Sequence, residues 1–165
     1  MLTPDDNLQF LTNTGKQAIE TAAKDGEEYI PTLIVEDQAG IMTVIVLAGD
    51  HPFDMLGAVL PTVRGMRPRS ISFSADSFIV EGPAAVVEPM RAKYGGSLMR
   101  AFNAGEPSVR ECLIINVVTP DSTETLTLPY VRTDDTIVWL EPKGPSRDSD
   151  VGGRMIDALR TAFVR

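Results

Sequence analysis

Two short segments that are apolar at both alternations of a strand constrain this chain most. Residues 110–119 place Leu113, Ile115 and Val117 on one alternation and Cys112, Ile114 and Val118 on the other. Residues 41–48 do the same, with Ile41, Ile45 and Leu47 against Met42, Val44 and Val46. Successive strand residues point to opposite faces, so a strand apolar on both needs cover on both. Each segment therefore reads as a central strand with packing layers above and below. A chain of 165 residues is long enough to build such a core as one domain, without a metal or a disulfide.

The remaining pattern supplies the layers. Asp5 or Asp6 can cap a first helix carrying Leu8, Leu11, Ala18, Ile19 and Ala22, with Gly15 in its middle and Asp25-Gly26 as its stop. Tyr29 to Glu36 reads as a strand joined to the next by the Asp37–Gly40 turn. Asp50-His51-Pro52 opens a second helix with Phe53, Leu56, Leu60 and Val63 at helical spacing, and Pro61 predicts a kink or an early end. Strand, helix, then a strand from Ser70 to Val80 is a crossover that sets the two strands parallel. Residues 82–109, with their Gly and Pro, read as an irregular excursion of the lid or binding-loop kind, holding a short helix near Ser97–Ala104. Strands over Thr123–Val131 and Thr136–Glu141 follow, and Pro129 makes the first of them an edge or bulged strand. The expected fold is a single α+β domain with a mixed, mostly antiparallel sheet of about six strands. Its core spans residues 1–141, a linker residues 142–153, and a terminal helix residues 154–165.

Charge and composition narrow the function. The net charge is −8, with 15 Lys and Arg against 23 Asp and Glu. That balance opposes nucleic-acid binding, which draws its affinity from neutralised phosphates. The charge is uneven: residues 1–60 hold 10 acids and 2 bases, whereas residues 61–110 hold 7 bases and 4 acids. One Cys and one His cannot close a zinc site or an internal disulfide. The start lacks a basic, then apolar, leader, and no apolar run approaches membrane-spanning length, so a cytoplasmic location without membrane association is expected.

No phosphate-cradling glycine loop and no nucleophile elbow occurs, and no cofactor is implied. Asp50, His51 and Asp54 share a helix start, where they serve as weak metal or acid–base candidates or simply as a cap. Ser72, Ser74 and Asp76 alternate on one strand face, which meets either water or a polar pocket. Arg64, Arg67 and Arg69 either complement a helix end or form an anion site. Cys112 reads as an inert buried thiol. In the terminal helix, Met155, Ile156, Leu159 and Phe163 pack on the chain's own sheet or on a second subunit.

Ser74-Ala75-Asp76-Ser77-Phe78 and Glu106-Pro107-Ser108-Val109-Arg110-Glu111 resemble two steps in a group of uncharacterised small proteins of actinobacteria and their phages. In that group a strand ends in Ser-acid-small-aromatic, and Pro-x-x-Arg-acid leads into an apolar strand. The resemblance implies a bacterial or phage origin and no particular activity; in a phage the location would be the host cytoplasm. Eleven of the fifteen basic residues are Arg, as a GC-rich genome favours. The expected function is a non-enzymatic protein-binding module whose expected partner is a protein, including a second copy of itself as a homodimer. The alternatives are a small enzyme or anion-binding domain using His51, Asp76 and Arg110, and an acidic phosphate mimic.

Overall fold

The computed structural model describes residues 3–147 and 154–163. In chain order they form α1 (Pro4–Asp25), β1 (Thr32–Asp37), β2 (Met42–Val46), α2 (Pro52–Gly65), β3 (Pro68–Val80) and α3 (Ala84–Lys93). Then come α4 (Leu98–Asn103), β4 (Val109–Val118), β5 (Thr123–Thr133), β6 (Thr136–Trp139), β7 (Lys143–Arg147) and α5 (Arg154–Arg160). The strands make one sheet in the order β2-β1-β3-β4-β5-β6, with β7 also on β5. Every pairing is antiparallel. This is the expected α+β domain, with a seven-stranded sheet. Both β2 and β3 run antiparallel to β1 and so parallel to each other, as the crossover required.

The two doubly apolar segments meet different fates. β4 is central, between β3 and β5, and its residues from Cys112 to Val118 are buried or nearly so. β2 is an edge strand, which corrects the central placement. One of its faces packs through Ile45 against the α2 layer, while Val44 and Val46 on the other are 59% and 52% exposed. Pro129 has the opposite outcome, because β5 is interior. On the outer side of β5, β7 pairs with residues up to Thr127 and β6 begins at Tyr130. Pro129 falls at this changeover, where no N–H is needed, and its carbonyl accepts from Leu140 N at 2.9 Å.

Other boundaries move for local reasons. Thr3, rather than Asp5 or Asp6, caps α1; Asp6 completes a capping box and Gly26 closes the helix in the left-handed region at φ 68°. α2 runs through Pro61, held by the buried Leu56 and Val63 on either side. Residues 82–109 are mostly helical, because Met90 and Ala101 bury against Phe78, Val80 and Val109 of the sheet. The expected linker begins with strand β7; residues 148–153 lie outside the described residues. In α5, Ile156 and Leu159 are 4% and 0% exposed. Leu159, with Met155 and Phe163, joins the α2 cluster around Leu56, Val63, Phe73 and Val118. The terminal helix therefore packs on its own chain, with Ile156 and Leu159 buried and Met155 and Phe163 partly buried. Val164 and Arg165 lie outside the described residues.

α1 covers the opposite face through Leu8, Leu11 and Ile19, against Leu113, Ile115, Val117 and Leu128. Gly15 makes that approach possible, since a Cβ there would lie 2.7 Å from Leu113 Cδ2. Among the described residues no helix is long and apolar enough to cross a membrane. Gly15→Val should therefore lower stability by about 1–3 kcal/mol through overpacking. Gly57→Ala, in open space on α2, should add about 0.5 kcal/mol. Chemical denaturation of both variants checks the contrast.

Candidate functional site

Two features share the α1 face of the sheet: an apolar groove beside β2 and a polar cluster between α1 and α4. The groove has a volume of about 580 Å³ and is lined by Phe10, Leu11, Thr14 and Ala18 of α1, by Tyr29, Ile30 and Ile34, and by Val44. Strand register explains it. Ile34 pairs with Val44 and Thr32 with Val46, so these residues share the face that α1 covers. The helix contacts β3, β4 and β6; of the β2 residues on that side, Met42 packs against the α1 cluster while Val44 and Val46 stay exposed. Phe10 and Ile30 are 49% and 47% exposed at the groove mouth. Its inner wall holds a hydroxyl pair, Tyr29 Oη and Ser74 Oγ at 2.6 Å. Burial raises the Tyr29 phenol above its ordinary value, keeping it neutral. Glu27 and Glu28 stand on the rim.

Further along the same face, Ser74 leads to Asp76 and then to Phe78 under α4. Asp76 Oδ1 accepts from the Tyr130 hydroxyl at 2.7 Å. Arg132 lies 3.7 Å from Asp76 Oδ2, donates to the Tyr130 hydroxyl at 3.3 Å, and donates from Nε to Glu111 at 3.0 Å. Its guanidinium sits over the Tyr130 ring, 5.6 Å from the centroid. Tyr130 also packs edge-on against Trp139, whose Nε1 donates to Glu20 of α1 at 2.8 Å. Burial raises the Asp76 carboxyl above the usual carboxylate range, and the Glu111 charge adds to this, against the Tyr130 and Arg132 contacts. Burial, with the Asp76 charge beside it, likewise pushes the Tyr130 phenol far up. Burial opposes the charge of Arg132, but its contacts with Glu111 and Tyr130 together outweigh this and raise its value. Cys112 is fully buried and pushed up to about 12, chiefly by burial, so it is held as an unreactive thiol.

The three residues proposed for one pocket do not converge. Asp76 pairs in register with Leu113, three positions from Arg110, so the alternation puts Asp76 and Arg110 on opposite faces. Arg110 instead faces Glu81 at 3.5 Å. His51 is exposed at the α2 start and makes no side-chain cap. Among the described residues, Asp50, His51 and Asp54 do not join a group able to hold a metal ion.

The arginines also separate. Arg64 donates to the Thr161 carbonyl at 2.6 Å, tying α2 to the end of α5. Arg67 takes a left-handed backbone at φ 52°, where α2 turns into β3. Arg69 faces Glu36 at 3.9 Å. Tyr29, Tyr130 and Arg132 escaped sequence reasoning. Tyr130 shares its strand alternation with Leu126 and Leu128, but its meeting with Asp76 depends on the β3–β4–β5 register. Comparison with family models, curated proteins and solved structures finds no match to this chain.

A raised carboxyl holds its proton more tightly in the folded chain than in the unfolded one. Its ionised form therefore costs stability above the carboxylate range, and the cost vanishes on acidification. Asp76→Asn keeps an oxygen for Tyr130 and removes the charge. It should be more stable than the parent at neutral pH, with the gain shrinking as pH falls through the acid range, as urea titrations at several pH values would reveal.

Proposed function

We propose that the protein is a binding module that adds an extended, basic segment of a partner protein to the β2 edge, the segment's apolar side chains entering the groove under α1. The contrast between the two sheet edges carries this reading. At the far side, β7 contains Lys143, Pro145 and Arg147 and β6 is only four residues long, features that discourage strand addition. The β2 residues Met42–Val46 include no charge and no proline. Beside them lies the continuous apolar strip of Val44, Val46, Ile30 and Phe10. An open edge beside alternating apolar positions suits strand addition, where backbone bonds supply affinity and side-chain pockets supply selection.

Charge supports a partner other than a second copy. The groove rim carries Glu27 and Glu28, and residues 1–60 are strongly acidic. A two-fold pairing of β2 with itself would bring these acids together, whereas a basic segment complements them. The enzyme alternative lacks the convergence of His51, Asp76 and Arg110 that it required.

A short synthetic peptide of alternating valine and arginine should bind and slow amide exchange along Met42–Val46, while a valine–glutamate control should not. Val44→Lys combined with Val46→Lys should weaken binding by about tenfold or more. Equal binding of both peptides, or concentration-dependent dimerisation through β2 in sedimentation, would overturn the proposal.

A further inference from the structure

A separate recess lies at the other end of β1, with a volume of about 280 Å³, lined by Asn7, Glu36, Gln38, Arg69, Ser70 and the turn at Asp121. It joins the first turns of α1, the end of β1, the start of β3 and the β4–β5 connection. Two of its polar groups, Glu36 and Asn7, are buried and undersupplied. Glu36 is 2% exposed, yet its carboxylate accepts from Ser70 Oγ at 3.2 Å and meets Arg69 only at 3.9 Å. Ion-supported hydrogen bonds are normally about 2.7–2.9 Å. Asn7 is 3% exposed, and its Oδ1 is buried with no hydrogen-bond partner. A buried carboxylate and a buried amide oxygen each cost folding energy unless a donor reaches them.

We infer that this recess binds a small zwitterion of the α-amino acid class. The ligand's ammonium has three N–H donors, the complement of the Glu36 carboxylate and the Asn7 amide oxygen. Arg69, at 29% side-chain exposure, takes the ligand's carboxylate, a pairing its planar fork favours. Asp121, exposed on the rim, adds attraction for the ammonium. The volume suits a ligand of amino-acid size. The recess and the β2 groove are built from different side chains, so either assignment can fail without the other.

The test titrates the full chain with free α-amino acids singly, following the melting temperature by Trp139 fluorescence and the backbone NMR shifts of Asn7 and Ser70. At least one amino acid should raise the melting temperature and shift both signals. Its N-acetyl derivative, which lacks the ammonium, and its methyl ester, which lacks the carboxylate, should bind about tenfold more weakly or worse. Glu36→Gln and Arg69→Gln should each weaken binding to a similar degree. If Glu36→Gln does not fold, Arg69→Gln and the two derivatives still decide the matter. The inference is overturned if no amino acid moves either readout, if either derivative binds as well as the parent amino acid, or if Arg69→Gln binds as well as the unaltered chain.

Discussion

The seat of α1 on β4, at Gly15 against Leu113, is the contact on which the rest of this face depends. A helix is about 10 Å across, whereas neighbouring strands lie about 4.8 Å apart. One helix therefore leaves part of a six-strand-wide sheet uncovered. Gly15 lets α1 sit close on β4, and the helix reaches Met42 of β2 but leaves Val44 and Val46 exposed. That part of β2 stays open, and α4 must cover the far end of β3 and β4. Groove and polar gap are both consequences of where that single helix sits.

In the gap between α1 and α4 the chain places charge, and it spends the charge internally. Asp76, Tyr130, Arg132 and Glu111 satisfy one another, and Trp139 carries the network to Glu20 on α1. Such a network under partial burial fixes the register of β5 and β6 against β3, because a slip would strand Asp76 without its donor. The cluster explains why Ser74 and Asp76 alternate on a face that is neither wholly core nor wholly water-facing. The recess near Asn7 differs, since there the chain leaves its acceptors incompletely answered.

The net charge of −8 resolves into distinct surfaces. Basic residues 64–110 do not gather: Arg64 braces α5, Arg69 meets Glu36, and Arg110 meets Glu81. Of the acids of residues 1–60, Glu27 and Glu28 stand at the groove, whereas Glu36 lines the recess near Asn7. The sheet edges follow the same division, one bearing Lys and Pro, the other apolar and unguarded.

Periodicity determined a good deal. It placed both long helices, the β1–β2 turn, the parallel relation of β2 and β3, and the central position of β4, because each of these rests on local side-chain alternation or on chain crossover. The same local pattern misplaced β2, since a strand apolar on both faces is indistinguishable from a core strand until the width of the covering helix is known. It found the short helix at Ser97–Ala104 but missed α3, whose apolar residues are too few for a periodic signal and which is held through Met90 in the cluster with Phe78, Val80 and Val109. By itself, then, the sequence determined the kinds of element and which of their faces are apolar. Only the tertiary structure decided which strand lies at the edge, which carboxylate meets Tyr130 and which buried acceptors lack a donor, because these depend on strand register and on the span of one helix, properties that no local window contains.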